Sequence, residues 1–168
     1  MRRLKPQGTA GKVRYSCAVL YRPYTSEDFA ELYAIEELCF QPPFRFGRRQ
    51  MRLLVNSLDA ATWIAEEDGK MAGFAIIEWT QETGAAIAYI QTIEVAPDWR
   101  AQGIGAELLR QVEASALAAS SQWIWLHVDA ENATAIRLYE ANGYRNEGSE
   151  PNYYPNGRAA MIYAKPLA

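Results

Sequence analysis

The stretch Val95-Ala96-Pro97-Asp98-Trp99-Arg100-Ala101-Gln102-Gly103-Ile104-Gly105-Ala106 sets the fold. It reads as the end of a strand stopped at Pro97, a glycine-rich turn, and the start of a helix. Proline closes a ladder, and the run from Gly103 to about Ala119 is rich in alanine and leucine. Glycines at 103 and 105 strip side chains from the turn, so several backbone N–H groups can converge on one anion. The positive end of the helix dipole falls on the same point, which makes the corner a cradle for a diphosphate. Two better-known anion loops are excluded. No Gly-Lys-Ser/Thr follows, as a P-loop requires, and the third glycine of a dinucleotide fingerprint is replaced by Leu108. Taken alone, the segment also fits a tight strand-to-helix turn with no ligand.

Upstream, Cys17–Arg22 reads as a first strand. Thr25-Ser26-Glu27-Asp28 sets a hydroxyl three residues before an acid, a capping box that opens a helix. Phe29, Leu32, Tyr33, Ile35, Glu36 and Phe40 give that helix a mostly apolar stripe to about Cys39, and Pro42-Pro43 ends it. An aromatic loop, Phe44-Arg45-Phe46-Gly47, precedes a short helix over Arg48–Ser57. Three strands follow: Thr62–Glu66, Met71–Trp79 and Ala86–Ala96, separated by turns at Asp68-Gly69 and Glu82-Thr83-Gly84. The third alternates Ile87, Tyr89, Gln91, Ile93 and Val95 against the remainder. Downstream come a strand over Ser121–Val128, a helix over Asn132–Asn142 closed by Gly143, a strand from Tyr144, a loop over Tyr153–Gly157 and a last strand over Ala159–Ala164. A meander followed by strand, helix, strand, helix, strand implies a mixed α/β sheet.

Composition bounds the reading further. The 168 residues amount to about one domain, 49% hydrophobic and 22% charged, which is globular rather than disordered. Two cysteines, Cys17 and Cys39, cannot build a disulfide framework, and one histidine cannot complete a Cys/His zinc cluster. No apolar run approaches a membrane span. Residues 1–16 carry five basic and no acidic side chains, whereas the remainder carries twelve basic and twenty acidic ones. The acidic body argues against nucleic acid as the partner. The basic segment reads as a tail, disordered or a weak hook for polyanions, and not as a signal peptide, since Cys17-Ala18-Val19-Leu20 is too short for the apolar region of one. Residues 17–168 then form the one domain, and cytoplasm is the expected location.

A second stretch, Asn132-Ala133-Thr134-Ala135-Ile136-Arg137-Leu138-Tyr139-Glu140-Ala141-Asn142-Gly143-Tyr144, places Tyr139 two helical turns after Asn132, on nearly the same face. Asn132 suits either a helix N-cap or a polar ligand contact. Together the two stretches resemble the GNAT superfamily of acetyl-CoA-dependent N-acetyltransferases. That family's Gln/Arg-x-x-Gly-x-Gly/Ala turn is matched by Arg100 to Gly105, and its Asn-x-x-Ala-x-x-Leu-Tyr-x-x-x-Gly-Phe/Tyr helix by Asn132 to Tyr144. The resemblance implies the family's α/β (α+β) fold: a central mixed, mostly antiparallel sheet of about seven strands, splayed in the middle, with about four helices. It implies that acetyl-CoA is the co-substrate, without a metal. Ile93 and Val95 would pair with the pantetheine arm, the turn Arg100-Ala101-Gln102-Gly103-Ile104-Gly105-Ala106 would hold the diphosphate, and Asn132 and Tyr139 would contact the cofactor. Within the family the chain looks most like the ribosomal-protein-alanine and protein N-alpha-acetyltransferase branch. The carriers are Ile35-Glu36, Phe40-x-Pro42-Pro43-Phe44, Tyr89 to Ile93, Leu126-His127-Val128 and Asn152-Tyr153-Tyr154. In some relatives the position of His127 is a glutamate, and in others a histidine paired with a tyrosine at the position of Tyr89; this chain has both Tyr89 and His127.

Such a resemblance implies an amine acceptor, in first place a protein N-terminus and in second a small amine such as a polyamine, amino acid or antibiotic. A non-catalytic acyl-CoA binder is the reading from another class. It implies neither a nucleic acid nor a membrane partner, and leaves the oligomeric state open. An α-amine with a pKa of about 7.7–8.0 costs about 1–1.4 kcal/mol to neutralise at pH 7, whereas a lysine costs about 4.6 kcal/mol. An N-terminal substrate therefore asks only for a modest base. His127 is the candidate, with Tyr89 sharing the relay and Glu94 in reserve; each also has a plain structural reading in a strand. Tyr139 is the candidate to protonate the leaving thiolate, and the backbone N–H of Val95 to hold the oxyanion. Phe40, Phe44, Tyr153 and Tyr154 would wall the amine entrance or simply pack their loops. Glu36 and Glu37 would attract a cationic amine or merely face water. No base adjoins either cysteine in the sequence, so acyl transfer through a thiol is not expected.

Overall fold

The computed structural model describes residues 18–82 and 85–167. The tail reading of residues 1–16, Cys17 and the Thr83-Gly84 part of one expected turn lie outside the described residues.

The chain runs β1 (Leu20–Pro23), α1 (Phe29–Cys39), α2 (Arg48–Val55), β2 (Ala60–Glu67), β3 (Lys70–Glu82), β4 (Ala85–Val95), α3 (Ile104–Ala118), β5 (Ser121–Asp129), α4 (Ala133–Ala141), β6 (Arg145–Glu150) and β7 (Ala160–Pro166). A single 3-10 turn, Ser26–Asp28, leads into α1, and another, Pro97–Trp99, follows β4. The expected capping box is present: the Asp28 carboxylate accepts the Thr25 N–H at 2.7 Å. Asp28 and Glu66 also hold Arg22 between them, tying the start of α1 to β1 and β2.

The strands form one seven-stranded sheet in the order β1-β2-β3-β4-β5-β7-β6. Every neighbouring pair is antiparallel except β4 and β5, which are joined through α3 and run parallel. This is the mixed, mostly antiparallel sheet with four α-helices that the sequence reading expects.

Helices cover both faces. On one face, Leu108, Leu109, Val112 and Ala116 of α3 pack with Ala65, Ala72, Ala75, Ile77, Ala88 and Ile90 of the central strands. The strand alanines keep the surface under the helix shallow, so α3 approaches closely. Each fully buried leucine there is worth about 2 kcal/mol in area removed from water. On the other face, Phe29, Leu32 and Ile35 of α1 and Met51 of α2 pack on Ile64, Phe74 and Ile76. Among the described residues no helix is long and apolar enough to cross a membrane.

The feature that creates a site lies between β4 and β5. Their ladder ends at Tyr89 opposite Trp125, yet β4 runs on to Val95 and β5 to Asp129. The two strands part beyond that rung. Because the Ala96 N–H bonds the Ala72 carbonyl at 2.9 Å, the alternation of an antiparallel ladder turns the N–H and C=O of Val95 and Ile93 away from β3 and into the gap.

Candidate active site

One cleft, of about 520 Å³, opens where β4, the following turn and α4 meet. Ile93, Val95, Arg100, Ala101, Gly103, Ile104, Gly105, Ala106 and Asn132 all line it. The turn is built by local rules. Pro97 opens the 3-10 turn, and the Trp99 indole N–H donates to Glu67 at 2.8 Å, pinning the turn to β2. Ala101 and Gly103 then take left-handed backbone, with φ of 59° and 81°. Gly103 caps α3 without any side-chain bond, so the first N–H groups of the helix face the cleft uncapped. The one acid of that first turn, Glu107, is drawn aside by Arg110 and Gln111, and the Arg110 guanidinium holds its carboxyl below the usual range. A diphosphate fits such a donor set. Arg100 donates from Nε to the Val95 carbonyl at 2.9 Å. Gln102 does not line the cleft; its side-chain amide donates to the Asp98 carbonyl at 3.3 Å and braces the turn. Asn132 is the N-cap of α4, its Oδ1 accepting the Ala135 N–H at 3.1 Å.

A second cavity, of about 380 Å³, lies on the other side of the parted strands. Cys39, Phe40, Ile93, Asn132 and Ala135 line both spaces, so the two meet at the gap. Tyr89, His127 and Tyr139 line the second one. Tyr89 sits at the last rung and His127 two residues past it, where pairing has ceased. The Tyr89 hydroxyl lies 3.1 Å from His127 Nδ1, and His127 Nε2 lies 3.1 Å from Glu150 Oε2. The Tyr153 ring stacks on the imidazole at 4.3 Å and 17°, and Trp125 presents its edge to both Tyr89 and His127. Burial raises the phenol pKa of Tyr89 and of Tyr139, so each keeps its proton near neutrality and serves as a donor.

Two loops wall this cavity. The Phe44 and Tyr154 rings meet at 4.7 Å, with the Arg158 guanidinium over Phe44. Arg158 is itself held by Asp129 at 2.7 Å and Glu131 at 2.6 Å. Burial pushes the Tyr154 phenol up to about 12. The loop before α2 is fastened to α1, because Glu36 accepts the Phe46 N–H at 2.6 Å and the Tyr33 hydroxyl donates to the Phe46 carbonyl.

Two sequence expectations change here, and the one on Cys39 stands on a different physical ground. Glu36 cannot attract a substrate amine from the surface: it is fully buried, one of its oxygens is used by Phe46, and Glu37 reaches Arg45 at 3.9 Å. Glu94 is not a solvated strand residue: helix α1 covers that face of β4, and Glu94 is 2% exposed. Burial, and then the neighbouring Glu36, push its carboxyl well above the ordinary range. A proton shared between Glu94 and Glu36 accounts for the otherwise unpartnered Oε2 of both residues. Cys39 has Arg100 and Glu94 near it despite the empty sequence around it, but burial raises its thiol pKa. It stays a thiol, a poor nucleophile.

The Glu94 arrangement has a measurable consequence for stability. In the unfolded chain Glu94 ionises near pH ~4.3, whereas in the fold it does so at higher pH. Its contribution is complete below the unfolded value and is lost as pH rises through the folded one. Glu94→Gln has no proton to lose and still donates to Glu36. Its Tm is expected to fall less steeply than wild type between about pH 5 and pH 8 and to match or exceed wild type at the alkaline end. Thermal melts across that range check this; parallel Tm–pH curves would place an ionised Glu94 in the fold.

Glu150 and Arg158 were not picked out by sequence reading. Strand β6 is exposed throughout, with no alternation to read, and Glu150 meets a histidine 23 residues away. Arg158 lies in a loop with Asp129 and Glu131 as distant partners.

Known proteins share this fold. The model of the acetyltransferase (GNAT) family matches residues 29–144, more than half of the chain. The [ribosomal protein bS18]-alanine N-acetyltransferase of Escherichia coli (strain K12) is 37% identical over 105 residues, covering 61% of this chain and 68% of that protein. The N-alpha-acetyltransferase of Sulfurisphaera tokodaii is 30% identical over 118 residues, covering 65% and 71%. Among solved structures, the ribosomal-protein-S18-alanine N-acetyltransferase from Escherichia coli superposes with a TM-score of 0.79 at 28% identity, over 90% of this chain and 95% of that one.

Proposed function

The chain belongs to the acetyltransferase (GNAT) family, whose donor is acetyl-CoA, and from that premise we propose that it acetylates the α-amine of a protein or peptide N-terminus by direct attack in a ternary complex. The observation that carries the reading is the meeting of two cavities at the parted strands, one built for an anion and the other walled by aromatic rings around Tyr89 and His127. The printed activities of the relatives, on an alanine of ribosomal protein bS18 and on N-alpha groups, support an N-terminal acceptor.

Bound acetyl-CoA supplies an acetyl thioester open to attack by a neutral amine. The uncapped N–H groups from Gly103 to Ala106, with Ala101 and Arg100, take the diphosphate. The gap-facing backbone of Ile93 and the Val95 N–H line the arm, the Val95 carbonyl being held by Arg100, and Asn132 stands at the junction. Tyr89 and His127 take up the amine proton. The Val95 N–H faces the gap to bind negative charge on the reacting oxygen, and Tyr139 donates a proton to the departing sulfur. Phe40, Phe44, Tyr153 and Tyr154 enclose the first residues of the acceptor. Most of the acceleration comes from holding amine and thioester together. Residues 17–168 act as one domain, and a cytoplasmic setting suits the free thiol of Cys39.

The test is thiol release from acetyl-CoA with peptides beginning Ala, Ser or Met, set against free polyamines and amino acids. At least one peptide is expected to exceed every small amine in kcat/KM by about tenfold or more, since the aromatic walls contact the chain behind the amine. A polyamine or free amino acid that outperforms all the peptides overturns the N-terminal assignment. Binding of CoA without release by any amine overturns the enzymatic one.

A further inference from the structure

We propose that Glu150 is a positioning residue, whose carboxylate selects the His127 tautomer that accepts a proton from Tyr89. The proposal rests on the reading of Tyr89 and His127 as the pair that takes up the amine proton.

Glu150 ends the edge strand β6, opposite Ala160 on β7, and its Oε2 lies 3.1 Å from His127 Nε2. An ionised carboxylate only accepts, so the hydrogen of the neutral ring resides on Nε2 and Nδ1 presents a lone pair. The Tyr89 hydroxyl, 3.1 Å from Nδ1, is then the donor of that contact. Its oxygen keeps lone pairs, and Tyr89 lines the cavity that receives the amine. In the opposite tautomer an Nδ1–H would donate to the Tyr89 oxygen, and the ring would have no lone pair at Nδ1 to take the phenol proton. The stacked Tyr153 and the edge of Trp125 hold the plane of the ring but cannot distinguish its two nitrogens. Glu150 supplies that distinction.

The proton transfer balances as follows. An amine N–H bond breaks and its proton passes to the Tyr89 oxygen, while the Tyr89 proton passes to His127 Nδ1. The amine keeps the electron pair with which it attacks. The imidazolium lies between Tyr89 and the Glu150 carboxylate and gives its proton to solvent when product leaves. The order carboxylate, imidazole, hydroxyl is that of a hydrolase triad, with the hydroxyl relaying a proton rather than attacking. The Glu150 side chain is 54% exposed, against 11% for His127, so water competes with it and the effect is smaller than that of losing His127.

The chain has one histidine, so the full-length protein labelled with ¹⁵N-histidine gives one set of imidazole signals. At about pH 8, where a free imidazole is neutral, the wild type is expected in the Nε2–H tautomer and Glu150→Ala in a mixture. Glu150→Gln keeps the Nε2–H form, because its amide oxygen still accepts. With the peptide that wild type turns over best, Glu150→Ala lowers kcat by about tenfold with KM changed less than about twofold, and Glu150→Gln recovers most of that loss. A tautomer unmoved by Glu150→Ala, or a loss carried by KM, overturns the proposal. A wild type that acetylates no peptide overturns the reading beneath it, yet the tautomer measurement still stands because it needs no substrate.

Discussion

His127→Ala is expected to lower kcat/KM for an α-amine peptide by about a hundredfold, the usual weight of one positioned base. The alanine leaves the Tyr89 hydroxyl without the acceptor it has at 3.1 Å, so the relay from the amine has no terminus. Tyr139→Phe removes the buried proton donor on the other side of the junction and is expected to cost at least about tenfold. The two losses differ in kind. Neither side chain lines the cleft around Gly103, so both variants should bind CoA with an affinity within about twofold of wild type. Steady-state thiol release combined with CoA titration separates chemistry from binding. Unchanged turnover in both variants would remove His127 and Tyr139 from the reaction.

Elements with local punctuation were legible in the sequence. Thr25 and Asp28 mark the start of α1, the prolines after Cys39 mark its end, and Asn132 with Gly143 brackets α4. Strand limits were less legible. Strand β3 extends to Lys70 and Glu82, beyond its apolar run, because backbone pairing with neighbouring strands continues through polar side chains. The splay carried no periodic signal either; it came from the likeness of two motifs to a family, and consists of a ladder that stops at Tyr89.

Polar residues of the site were the hardest to place. Glu94 alternates away from Ile93 and Val95, which in a sheet with one wet face would mean exposure. Here helices cover both faces, so the same alternation buries it against Glu36. Phe44 and Tyr154 are far apart in the chain, and their contact follows from where two loops land on the sheet.

The second large effect concerns the donor. Gly103 sits at φ 81°, where a β-branched side chain is strained by about 1–2 kcal/mol, and it forms the corner at which the first N–H groups of α3 are presented. Gly103→Val is expected to weaken CoA binding by about a hundredfold through the loss of one or two charge-assisted hydrogen bonds. Pantetheine, which lacks the diphosphate and the adenosine beyond it, probes the same end of the cofactor on the unaltered protein. Titration calorimetry of wild type with CoA and with pantetheine is the most direct measurement. A diphosphate cradle predicts CoA binding with a Kd between about 1 μM and 1 mM and pantetheine binding at least about a hundredfold weaker. No heat from CoA at millimolar concentration, or equal affinity for the two, would contradict it.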